Sequence, residues 1–291
     1  MKRTYSANSR NKRASRLAGM VGRWLLLWCV WTAIGHSAAQ AQCAAPNSAF
    51  QSGETLVFDL YFNWKFVWIK VGNATWSVSQ TSYKGTPAYR TRLITRSNKK
   101  ADRYFVMRDT LVSYVARDLH PLYFEKNATE GKQYRQEKIN YTYPSGKCKV
   151  SMYYRRDYLE PRTDVLESAY CAYDMVAMML RARSFDASKY TKGYRQKFLL
   201  AEGRHTEWRT LLYCGKETVK MEGTDQQFRC LVFSYLETEK GKENEVVRFY
   251  VTDDDNHLPV RLDMNLRFGT AKAYLSGWKN VRHPLTALTG K

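Results

Sequence analysis

The sequence lacks the short patterns that announce common chemistries. HExxH, GxSxG, P-loop and GxGxxG arrangements are all absent. That removes the local signatures of zinc peptidases, α/β-hydrolases, phosphate-cradling NTPases and dinucleotide enzymes. No CxxC pair occurs, so redox and zinc chemistry have no local support. Histidine is sparse: beyond residue 41 only His120, His205, His257 and His283 remain, none with a partner four residues away. Asp253-Asp254-Asp255-Asn256 begins like a calcium loop, yet Leu258 and Met264 stand where an EF-hand needs glycine and glutamate. It reads as a polar hairpin turn. No catalytic residue, no metal site and no cofactor is therefore expected. Long apolar runs are missing as well: beyond residue 41 nothing approaches the ~18 residues of a membrane-spanning helix.

What is present begins with an export signal. Residues 1–23 hold seven basic side chains and no acidic one, followed by the apolar run Trp24–Ile34 and the small-residue stretch Ser37-Ala38-Ala39-Gln40-Ala41. A charged region, a short apolar region and an A-x-A site are the parts of a cleavable signal peptide, here 1–41. Eleven apolar residues span about 16 Å as a helix, roughly half a bilayer core, which argues against a retained anchor. The expected compartment is the periplasm or the periphery of the outer membrane, with 42–291 forming a single β-rich domain.

The full chain carries 47 basic and 27 acidic side chains. Removing the signal leaves 40 against 27, a net charge near +13. For an exported protein the matching polyanions are lipid head groups, lipopolysaccharide or acidic glycan rather than nucleic acid. Five cysteines remain beyond the signal: Cys43, Cys148, Cys171, Cys214 and Cys230. An oxidising compartment permits disulfides and an odd count leaves one unpaired. Cys214 and Cys230 lie on what read as neighbouring strands, so they are the first pair expected.

Alternation with period two dominates the remaining sequence. Leu56, Phe58, Leu60 and Phe62 share one face; Ala74, Trp76 and Val78 repeat the pattern after a turn, with Gly72 relieving crowding between them. Tyr89, Thr91, Leu93 and Thr95 then alternate with Arg90, Arg92, Ile94 and Arg96. Strand-like segments of this kind, spaced by about 8–12 residues, recur almost to the end of the chain. One segment breaks the rhythm: Tyr173–Arg183 places Val176, Met179 and Leu180 at helical spacing, with Asp174 near its start and Arg181 and Arg183 near its end. The expected fold is all-β: a curved antiparallel sheet or partly open β-barrel with one short inserted helix.

Trp64, Trp68 and Trp76 crowd the first hairpin, and Arg90 and Arg92 follow on the next strand. Together they suggest an apolar cradle with a cationic rim for an amphipathic or glycan ligand. The competing reading is that these tryptophans fill the core of a wide sheet.

The stretches FQSGETLVFDLYFNWKFVWIKVGNATWSV, YDMVAMMLRARSFD and VTDDDNHLPVRLDMNLRFGTAKAYL resemble, in order and spacing, an exported bacterial family known as domain of unknown function 3108. The resemblance runs from about Phe50 to Leu275. It implies an antiparallel β structure in the Gram-negative envelope, of Bacteroidetes type, and supplies no active-site residue. The leading expectation is thus a non-enzymatic, envelope-associated protein that binds a lipid, glycan or other anionic component. The alternative is a structural or interaction module with a protein partner in an envelope assembly. An envelope-polymer hydrolase using Asp253 and Asp255 comes third.

Overall fold

The computed structural model describes residues 43–64, 67–266 and 269–290; the expected signal peptide lies outside them. Among the described residues, fifteen strands and one α-helix follow one another. They are β1 (Thr55–Trp64), β2 (Val67–Tyr83), β3 (Thr86–Ser97), β4 (Met107–Ala116), β5 (Pro121–Glu130), β6 (Gln133–Thr142), β7 (Cys148–Arg156), β8 (Arg162–Ser168) and β9 (Ala172–Tyr173). Then come α1 (Met175–Arg183), β10 (Arg195–Glu202), β11 (His205–Lys220), β12 (Gln227–Glu239), β13 (Lys242–Thr252), β14 (Pro259–Leu266) and β15 (Gly269–Lys279).

All fifteen strands form one sheet, ordered β8-β7-β6-β5-β4-β3-β2-β1-β15-β14-β13-β12-β11-β10-β9. Every pairing is antiparallel except β9 with β10. Two meanders are therefore joined back to back where β1 pairs with β15, Leu56 opposite Trp278 and Leu60 opposite Ala273. Register shifts interrupt several ladders, among them those at Val57/Phe58, Leu60/Tyr61 and Tyr213/Gly215. Such irregularities bend a sheet and increase its twist. The result is nearly a closed barrel, with an unsealed seam between its two ends. Side chains cross that seam in place of a ladder: Arg204, in the β10–β11 turn, pairs with Asp164 of β8 at 2.7 Å, and the Gly203 N–H donates to Glu137 of β6.

The alternation read from the sequence sets the inner face. Leu56, Phe58, Leu60, Ala74, Trp76 and Val78 are all buried in the main core cluster. Gly72 is required where β2 passes β3, because a Cβ there would sit 2.2 Å from the Arg96 carbonyl oxygen. The inserted helix starts two residues later than the periodicity suggests. Asp174 is its N-cap, accepting from the Val176 and Ala177 N–H groups at 3.1 and 2.8 Å.

The interior is filled. Phe198 and Leu200 of β10 belong to the main cluster, whereas Leu199 and Ala201 belong to a second one, with Ile139, Val150 and Met152. Successive strand residues point to opposite faces, so β10 is buried on both sides. The helix also bridges the clusters, Val176 packing into the second and Ala177, Met178 and Leu180 into the first.

Candidate functional site

The tryptophan cradle expected on the first hairpin does not assemble. Trp76 is 2% exposed and donates its indole N–H to Thr91 Oγ1 at 2.6 Å inside the barrel. It is a core residue with a satisfied polar handle, as the competing reading held. Trp68 lies eight residues away along the same strand, about 26 Å at strand rise, and is 37% exposed with the Lys272 ammonium 4.3 Å from its ring centre. The side chain of Trp64 lies outside the described residues. Arg90 and Arg92 flank buried Thr91 and so occupy the opposite face of β3 from the one that Trp76 meets. Trp76 and the two arginines therefore lie on opposite faces of the sheet.

The expected Cys214–Cys230 disulfide is likewise corrected. Cys43 and Cys171 are bonded, with Cα atoms 5.4 Å apart, while Cys148, Cys214 and Cys230 are free. The strands are neighbours, as the sequence suggested, but the bulge at Tyr213/Gly215 sets Glu217 opposite Cys230. Cys214 lies three positions along the ladder, about 10 Å, beyond the ~7 Å that a disulfide spans. Its Sγ meets Ser234 Oγ at 3.3 Å instead.

The Asp253–Asn256 loop is a structural junction. Asp253 pairs with Lys216, Asp254 accepts from Thr252 Oγ1 and the Ala287 N–H, and Asn256 is buried against the His283 backbone. Among the described residues no cluster of histidine, cysteine and acidic side chains has a metal-holding arrangement, and no helix is long and apolar enough to cross a membrane.

A different site emerges beside the seam. β9 pairs with β10 only at Leu199 and Leu200, which leaves the outer edge of Gln196–Phe198 facing a cleft of about 240 Å³. Its walls include Tyr170, Phe185, Phe198 and Trp208, and Arg181 and Lys197 bring positive charge. Tyr170 and Trp208 meet edge to face, 5.1 Å between centroids at 75°, and remain 55% and 48% exposed. Arg181 lies over the Tyr173 ring at 5.2 Å and donates to the Cys43 carbonyl at 2.7 Å. Burial pushes the Tyr173 phenol up to about 12, the Arg181 charge opposing it. The Cys43–Cys171 bond forms part of this wall, tying the segment before β1 to the residues before β9. A space this size lies below the roughly 300–1,000 Å³ of sites for drug-sized ligands, so it accommodates one ring or a short chain segment.

Neither Tyr170 nor Trp208 stood out in the sequence. Trp208 had one legible sign: it interrupts the polar run His205-Thr206-Glu207 of a strand, where an aromatic has no polar reason to be.

A family model described as "Protein of unknown function (DUF3108)" matches residues 57–276. Among solved structures, a beta-barrel-like protein of domain of unknown function DUF1849 from Brucella abortus is similar, at 14% identity and TM-score 0.55, over 80% of this chain and 99% of that one. A putative exported protein with YmcC-like fold from Bacteroides fragilis aligns at 9% identity and TM-score 0.32, over 82% and 99%. Among curated proteins none matches. The Brucella likeness concerns fold alone.

Proposed function

The chain belongs to the DUF3108 family of proteins of unknown function, and from that premise we propose that it is an exported, non-enzymatic binding protein of the cell envelope. Its ligand is amphipathic or a glycan, held in the cleft beside the seam. The observation that supports this is the right-angled, half-exposed Tyr170–Trp208 pair next to Arg181 and Lys197. Aromatic faces stack on sugar rings and on apolar chains, while two cations that make no ion pair among the described residues suit an anionic group. The same combination of aromatic and cationic side chains that suggested a site on the first hairpin supports the reading here.

The test is native mass spectrometry of the exported, processed protein beside mass spectrometry of its organic extract. A stoichiometric lipid or glycan that is lost from Trp208→Ala supports the cleft. An apo mass for the wild-type protein, together with no binding of envelope glycan or lipid extracts, rejects it.

A further inference from the structure

The strand order places seven chain reversals on one rim of the barrel: those after β1, β3, β5, β7, β10, β12 and β14. Large apolar side chains are concentrated there. Val67 is 61% exposed, Ile69 46%, Leu266 41% and Phe105 45%, with Trp68 and Tyr104 beside them in sequence. Further round the same rim, Tyr158 and Leu159 of the β7–β8 turn are also exposed. Toward the other rim, the turns at 84–85, 117–120, 221–226 and 253–258 expose no large apolar side chain among the described residues, and the connection before β9 and the loop from α1 to β10 expose only Tyr170 and Tyr194. The asymmetry has a direction.

The apolar rim is also basic. The β1–β2 and β14–β15 hairpins stand side by side, since β1 pairs with β15, and the loop after β3 is tied to them by Asn98, whose side chain donates to the Lys70 carbonyl. In this sector Asp59 pairs with Lys70, Asp102 with Arg108 and Glu130 with Arg135, while Asp109 is drawn back into β4, half-buried and without an ion pair among the described residues. Lys99, Lys100, Arg103 and Lys132 are exposed and make no ion pair among the described residues. Exposed tryptophan, aliphatic side chains and unpaired cations on adjacent loops combine the two attractions that hold a peripheral protein on a membrane, apolar insertion and charge.

We propose that this rim docks on an anionic phospholipid bilayer, Val67, Trp68, Ile69 and Leu266 entering the interface while Lys99, Lys100 and Arg103 meet the head groups. The inference shares with the proposed function only its envelope location, and none of the cleft residues takes part.

The experiment is co-sedimentation of the exported, processed protein with vesicles of about three parts phosphatidylcholine to one of phosphatidylglycerol, and with phosphatidylcholine alone. Binding to the anionic vesicles is expected, at least about tenfold weaker on the neutral ones, and lost as salt rises to about 0.5 M. Trp68→Ser/Ile69→Ser and Lys99→Glu/Lys100→Glu should each weaken it roughly tenfold with an unchanged thermal midpoint. The second pair is fully surface-located and keeps the test valid if the first perturbs the hairpin. Trp208→Ala should leave vesicle binding unaltered. No binding to anionic vesicles at low salt, or binding altered less than about twofold by Lys99→Glu/Lys100→Glu, overturns the inference. Loss of vesicle binding in Trp208→Ala alone overturns it too, and assigns the lipid to the cleft.

Discussion

The guanidinium of Arg183, in the last turn of α1, grips the carboxylate of Glu54 just before β1 in a pair that is almost wholly buried. Arg183 also donates to the Asn256 carbonyl at 3.0–3.1 Å and lies over the rings of Phe50 and Trp76. One side chain thus ties together the helix, the segment before the first strand and the β13–β14 turn. Removing one partner strands the other charge in the core, so Arg183→Met should cost about 3–5 kcal/mol in urea unfolding. Adding Glu54→Leu should recover about half of that or more, because the stranded carboxylate goes with it.

Asp174 gives the stability a pH dependence of unusual sign. Its carboxyl is raised from 3.8 to about 6, by burial first, against the hydrogen bonds from the Ala177 N–H and Ser113 that favour the charged form. The folded state holds this proton at pH values where the unfolded chain has released it. Asp174 therefore favours folding below about pH 4 and this contribution is lost as pH rises to 6. Asp174→Asn keeps a capping oxygen and cannot titrate. The difference in thermal midpoint between variant and wild type should shift in the variant's favour between pH 4 and 6; a constant difference would refute the assignment.

Thiol titration of residues 42–291, unfolded and unreduced, should find three free thiols, and peptide mapping should find Cys43 joined to Cys171. Bridging residues 128 apart restricts the unfolded chain strongly, so Cys43→Ser/Cys171→Ser should lose roughly 2–5 kcal/mol. A Cys214–Cys230 peptide would contradict the structure.

The tryptophans separate core from surface. Trp76→Ala should cost about 3–5 kcal/mol, with loss of its volume and a stranded Thr91 hydroxyl. Trp208→Ala, at a half-exposed position, should change the unfolding midpoint little and remove retention of a cleft ligand. Equal destabilisation of both would make Trp208 a core residue.

Much of the fold was legible because it is written locally. Leu56, Phe58 and Leu60 alternate, and Asp174 followed by an apolar stretch ending in Arg181 and Arg183 marks a helix. The site was not, because closure assembles it. Tyr170 and Trp208 are 38 positions apart and meet only because β9 runs parallel to β10, with Ala172 beside Leu199. The disulfide hid for the same reason: strand adjacency suggested Cys214 and Cys230, but the register of β11 with β12 sets Glu217 opposite Cys230. Composition alone says that cationic and aromatic side chains are plentiful, while register decides which of them share a surface.

The pairing of β1 with β15 governs the order in which the molecule can be made. The meander from β1 to β8 is available early from a nascent chain, but β1 remains an open edge until β15 arrives. Contacts across so long a separation slow folding, and an uncovered edge strand invites pairing with other chains. A chain truncated before Gly269 would keep that edge permanently, so arrival of β15 is the step that converts an aggregation-prone half into a protected protein.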